Sequence, residues 1–196
     1  LRGTVTSVTP HESSTKDDFE SPLALPALVH PHIHLNKAFI HSAPEYAPFL
    51  PTAGTFQEAL SSTTKAKPQF SHSDIIRRGV WLLAESVASG VTAMRAFVEV
   101  DHTVQLICLE AAVALKNQWK DSCDIQIVCF AQDPIFSSEY GEQNMEFLET
   151  ALHKYSQIDV IGTTPYVESS PEAAKQNIEW AIDRALKLNK HVDFHL

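Results

Sequence analysis

From residue 22 onward the chain alternates short apolar runs, rich in β-branched residues, with longer stretches of helical periodicity, and this alternation leaves few folds open. Residues 27–34 (ALVHPHIH), 91–100 (VTAMRAFVEV), 125–130 (IQIVCF), 158–167 (IDVIGTTPYV) and 191–196 (HVDFHL) read as strands. Between the first two, SHSDIIRRGVWLLAESVASG opens on serine and aspartate capping signals and ends in glycine. Its Ile75, Ile76, Val80, Leu83 and Val87 form one stripe, which predicts a helix. Further helices are predicted over 103–119, 141–155 and 171–188, the last opened by Pro171. Residues 36–70, with prolines at 44, 48, 51 and 68, read as a long loop carrying one short helix over 55–65.

Strands that alternate with helices pair in parallel and are covered on both faces. Two architectures are built this way. A doubly wound sheet carries a glycine-rich phosphate turn after its first strand, and HPHIHLNK contains no glycine. A TIM barrel gathers its chemistry at strand ends, which here carry His32, His34, Arg95, Glu99, Gln132, Asp133, Glu168 and His195. The expected fold is therefore α/β: the front part of a (β/α)8 TIM barrel, about five parallel strands and four helices, incomplete as given because a whole barrel takes about 250 residues. Residues 1–21, polar and rich in Ser, Thr and Asp, read as an irregular arm or remnant strand, and 22–196 as the partial barrel domain.

Charge narrows the partners. With 15 basic and 24 acidic side chains the net charge is −9, and no basic run exceeds Arg77-Arg78, which disfavours nucleic acid. No apolar stretch approaches the roughly 20 residues that span a bilayer. The three cysteines, Cys108, Cys123 and Cys129, are odd in number and form no CxxC pair. They read as reduced core residues of a cytoplasmic protein. The expected partner is a small molecule.

Histidine is the unusual count, ten in all, with His30, His32 and His34 inside one pentapeptide. Strand side chains alternate with period two, so His32 and His34 share a face and can reach one ion. Alone, so short a motif is more often a pair of hydrogen-bonded strand histidines. His195 strengthens the metal reading: it ends the fifth strand, and the C-terminal ends of strands one and five converge on one barrel mouth. His32, His34 and His195 are accordingly the candidate ligands of one divalent ion, zinc or iron(II). His30 is expected on the same face but deeper, and takes no role.

The blocks HPHIHLNK, SGVTAMRAFVEVD, DIQIVCFAQDP, DVIGTTPYVE and HVDFHL, in this order and spacing, resemble the amidohydrolase superfamily, in particular its cytosine-deaminase-like branch. The resemblance implies a metal-dependent hydrolase of non-peptide C–N bonds, acting on cyclic amides, amidines or nucleobase-like rings. It matches His32 and His34 to the ligand pair of strand one and His195 to the ligand of strand five. Gln132 matches the glutamine that binds a substrate amide, and Thr163, Thr164 and Glu168 stand where binuclear relatives place a bridging group. Asn36 replaces an aspartate of the family's HxHLD pattern, keeping hydrogen-bonding capacity but not charge. Phe97 replaces a histidine, and Glu99 an aspartate.

In such a site the metal would lower the pKa of its bound water from 15.7 toward about 7, giving hydroxide that can attack an amide or amidine carbon at neutral pH. A general acid must then protonate the departing nitrogen. The family's Asp-Glu pair after the strand-five histidine, its strand-six histidine and its strand-eight aspartate have no counterpart here. Glu99, Asp133 and Glu168 read instead as loop-capping or supporting carboxylates, and Lys37 as a solvated loop lysine. Two expectations follow: a hydrolase fragment inactive alone, or a non-catalytic half-barrel or binding protein derived from an amidohydrolase. Open sheet edges favour homo-oligomers in either case.

Overall fold

The computed structural model describes residues 5–9 and 24–196. Residues 5–9 form neither helix nor strand, and the rest of the arm expected over 1–21 lies outside the described residues. Five strands, β1 (Leu28–His34), β2 (Val91–Glu99), β3 (Asp124–Ala131), β4 (Ile158–Thr163) and β5 (His191–Phe194), pair in parallel in the order β1-β2-β3-β4-β5. Helices α1 (Phe56–Ala66) and α2 (His72–Ala88) lie between β1 and β2, and α3 (Ile107–Trp119), α4 (Gly141–Lys154) and α5 (Pro171–Leu188) follow the next three strands. In a flat sheet β1 and β5 would stand about 19 Å apart, four strand spacings of about 4.8 Å. Instead, His34 Nε2 lies 3.3 Å from His195 Nε2, and Arg95 of β2 bonds Asp193 of β5 at 2.6 Å. The sheet is curled like part of a barrel wall, with one face inward.

Alternation gives each face its own core. Met94, Ala96 and Val98 of β2, with Ile125, Ile127 and Cys129 of β3, pack outward in the core that takes in the helices. Phe97, Val128, Phe130 and Val160 form a separate inward cluster. Gly162 faces the same interior: a Cβ there would sit 2.6 Å from Val128 Cγ1 and 2.8 Å from Phe130 Cδ2. Gly162→Ala is therefore expected to destabilise the protein by about 1–3 kcal/mol in denaturant titration, the usual cost of overpacking. An unchanged midpoint would mean that the inward layer has slack.

Local chemistry explains where elements start and stop. Thr55 Oγ1 accepts from Glu58 N at 3.2 Å, while the Glu58 carboxylate returns to the N–H groups of Thr52, Ala53 and Gly54, a capping box that fixes the start of α1. Ser71 and Ser170 cap α2 and α5 in the same way. Three expectations need correction. Helix α3 begins at Ile107 rather than 103, because Asp101 Oδ1 accepts from Thr103 N and Val104 N, making a turn, and Gln105 adopts a left-handed φ of 49°. The fourth strand ends at Thr163, because Pro165, with no N–H to donate, opens a 3-10 turn over Pro165–Val167. Finally, β1 is irregular: His30 pairs with Met94 but Ile33 with Ala96, so an extra residue breaks the alternation. His30 consequently shares the outward side of Met94, lining a groove with Leu82, Glu85 and Ser86 of α2, while His32 and His34 face inward.

Candidate metal centre

The inward ends of β1 and β5 bring the three candidate ligands together. One ring nitrogen from each of His32, His34 and His195 lies within 4.8 Å of the others. His32 Nε2 is 3.2 Å from His34 Nε2, and His34 Nε2 is 3.3 Å from His195 Nε2. Two nitrogens on adjacent corners of a tetrahedron, each about 2.0–2.1 Å from zinc, would stand about 3.3–3.4 Å apart. The donor set therefore fits a divalent ion. Phe97 and Phe130 support these rings from inside the sheet: Phe97 stacks on His32 at 4.4 Å, and Phe130 lies 4.6 Å from His195. Phe97 thus puts an apolar face under the ligands.

Burial also sets the protonation of His34 and His195. Desolvation, reinforced by the nearby Lys37 charge, pushes His34 down to about 3, and burial with the neighbouring His32 lowers His195. Neutral imidazoles are the form that ligates.

Gln132 lies just beyond the end of β3, two strands from the histidines of β1, in a polar network the sequence did not reveal. Lys37 Nζ donates to Gln132 Oε1 at 3.0 Å and lies 2.7 Å from Glu99 Oε1. It is thus an engaged residue, not the solvated loop lysine expected. Lys67, buried at the end of α1, sits at the hub: its ammonium is 2.8 Å from Glu99, 2.8 Å from Asp101 and 2.9 Å from Asp133. Burial alone would depress the Lys67 ammonium, but Glu99, Asp101 and Asp133 outweigh it and raise it. Burial alone would likewise raise Glu99, yet Lys67 and Lys37 hold its carboxyl at about 2. Asp133, where burial prevails over Lys67, is raised. Asp101, His102 and Asp133 also offer ligand atoms within 4.8 Å of one another, but the Lys67 ammonium already bonds both carboxylates there.

The remaining candidates serve the scaffold. Thr163 faces outward and is fully buried, whereas Thr164 Oγ1 donates to the carbonyls of Ala131 and Gln132 at 2.9 and 2.8 Å. Glu168 accepts from Ile135 N, Ser137 Oγ and Asn177 Nδ2, anchoring the loop after β3 to α5. Asn36 Oδ1 accepts weakly from Glu99 N at 3.4 Å, and its buried Nδ2 has no partner among the described residues.

Comparison with known proteins bears on the fold and the relatives of the chain. The chain is 26% identical over 191 residues to N-isopropylammelide isopropyl amidohydrolase of Pseudomonas sp. (strain ADP), covering 94% of this chain and 45% of that protein. The crystal structure of 5-methylcytosine deaminase from Klebsiella pneumoniae liganded with 5-fluorocytosine superposes with a TM-score of 0.74 at 27% identity, over 87% of this chain and 39% of that one. N-isopropylammelide isopropylaminohydrolase from Burkholderia multivorans ATCC 17616 shares the fold, with a TM-score of 0.65 at 24% identity, over 87% of this chain and 40% of that one. The chain thus spans less than half the length of these relatives. No family model matches it.

Proposed function

We propose that this chain, whose homologues are amidohydrolase-superfamily enzymes acting on C–N bonds, carries the metal ligands and a substrate-orienting amide of a hydrolase for cyclic amides, amidines or nucleobase-like rings. The observation that carries this reading is the meeting of three imidazoles at ligand spacing across a curled sheet. His32, His34 and His195 would hold one divalent ion, zinc or iron(II). Bound there, the ion supplies Lewis acidity and a more acidic water, the means of attacking a ring carbon at neutral pH.

The chain's own residues do the rest of what is assigned to it. Phe97 and Phe130 keep bulk water from beneath the ligands, so polar contacts at the mouth act in a lower dielectric. Gln132, its backbone carbonyl held by Thr164, offers an amide to the substrate. The carboxylates around the mouth are engaged: Glu99 and Asp133 by lysines, Asp193 by Arg95, Glu168 by loop donors. Leaving-group protonation is therefore not assigned to them. Cys108, Cys123 and Cys129 are free and buried, which fits work in a reducing compartment such as the cytoplasm, and no helix among the described residues is long and apolar enough to cross a membrane.

The test is direct. Protein purified without chelator should carry about one equivalent of zinc or iron; because no residue here is assigned to protonate the leaving group, release of ammonia or amine from a panel of pyrimidines, triazines and cyclic amidines is expected only where that acid is also supplied. Metal content below about a tenth of an equivalent, with added zinc or ferrous iron failing to bind, would overturn the reading at its first step.

A further inference from the structure

Alternation along the strands stacks the inward side chains in layers. Phe97 of β2 and Val128 of β3 belong to the inward cluster, so Arg95 and Gln126, each two residues earlier, face inward as well. Asp193 stands in the same relation to His195 on β5. Arg95, Gln126 and Asp193 therefore occupy one layer, a step nearer the N-terminal ends of the strands than Phe97, Val128 and His195. The inward cluster above them is apolar, and polar groups placed beneath it must satisfy one another.

Their contacts form a chain that ends on a candidate ligand. Arg95 Nε donates to Gln126 Oε1 at 2.7 Å, and Arg95 Nη1 donates to Asp193 Oδ2 at 2.6 Å. The other oxygen of that carboxylate, Asp193 Oδ1, lies 4.0 Å from His195 Nδ1. His195 thus turns one ring nitrogen toward Asp193 and the other, Nε2, toward His34 Nε2 at 3.3 Å. The same chain spans the curl of the sheet. Strands β2 and β5 are three spacings apart in the strand order, about 14 Å if the sheet were flat. β5 is the last strand, in register with β4 over four residue pairs, and Arg95 ties it to β2 across the interior. Gln126, the register partner of Arg95, holds the guanidinium at a second point.

We propose that Arg95 and Asp193 are positioning residues: their ion pair ties β5 to β2 beneath the metal centre and sets His195 with its Nε2 toward His34. The proposal rests on the reading of the three histidines as ligands of one ion, and it assigns part of the metal affinity to a pair that touches no ion. Groups that orient a ligand in this way contribute about 10- to 100-fold to metal affinity.

The experiment measures zinc affinity at neutral pH, by competition with a chromophoric chelator, in wild type, Arg95→Met, Asp193→Asn and the double variant. Each single variant is expected to bind zinc at least about 10-fold more weakly. Because the two residues act as one link, the double variant should lose no more than about 3-fold beyond the weaker single. Lys116→Met is the control: it removes another half-buried ion pair, Lys116–Asp159 at 2.8 Å between α3 and β4, and should leave zinc affinity within about 2-fold. Melting temperatures in chelator show which variants fold, and whichever single variant folds decides. Failure of both to fold would make the pair a requirement of the fold and overturn the proposal. A loss smaller than about 10-fold in a folded single variant, losses that multiply in the double variant, or an equal loss in Lys116→Met would also overturn it, and would leave the metal centre standing. Wild type that binds no zinc would overturn the metal reading itself, and the proposal with it.

Discussion

His195→Ala is expected to reduce bound divalent metal from about one equivalent to below about a tenth, and kcat/KM for any hydrolysed ring by about 10⁴-fold. The first figure follows from geometry. His34 Nε2 lies between the other two nitrogens, 3.2 Å from His32 and 3.3 Å from His195, and removing one end leaves a two-imidazole site on a single strand. The second follows from acidity: bulk water is nearly nine pKa units less acidic than a metal-activated water, and about half of that gap survives in rate because a weaker base is also a weaker nucleophile. Metal analysis and steady-state kinetics on one preparation separate the two effects. Full metal occupancy in His195→Ala would remove His195 from the ligand set, and full activity without metal would remove the metal from the chemistry. A control at His30, which faces α2 across the β1 irregularity, should leave occupancy unchanged although it belongs to the same pentapeptide.

How legible this was in the sequence depends on the range of the interaction. The strands and helices rest on periodicity and on local signals such as Thr55, Ser71 and Ser170, and these appear close to where they were expected. The His32 and His34 pairing needs only the two-residue repeat, and His195 joins them because the sheet curls as the alternating pattern implies. His30 was misplaced for the converse reason: one extra residue in β1 inverts every side chain on its far side, and Pro31, inside the irregular span and without an N–H for the ladder, was the available signal. Lys67 was invisible for another reason. It lies at the C-terminal end of α1, 32 or more positions from Glu99, Asp101 and Asp133, yet those three carboxylates, gathered at adjoining strand ends, required a cation from somewhere. That demand was the available signal, and it points to a charge without saying which lysine supplies it.

Lys67→Met should accordingly be the most damaging single change to the fold, costing about 3–5 kcal/mol, because it strips the shared cation from buried carboxylates instead of removing the whole cluster. The direction of its pH dependence makes the cause identifiable. In wild type, Lys67 and Lys37 overcome burial to hold Glu99 at about 2, below its ordinary 4.5. Its contribution is therefore present above about pH 4.5 and lost as pH falls toward 2, so that stability rises with pH. In the variant, Asp133, already raised by burial, loses the ammonium that opposes the rise, so its carboxyl moves further above the unfolded value and the folded state binds protons more readily than the unfolded one. Stability should then increase as pH falls from 7 to 5, a range over which the Glu99 contribution of the wild type is constant. Urea titrations at both pH values, in chelator so that Asp101, His102 and Asp133 cannot gather an ion in place of the lost ammonium, read both the magnitude and the slope. A loss below about 1 kcal/mol with no change in slope would mean that solvent reaches these carboxylates and that Lys67 is not their counter-charge.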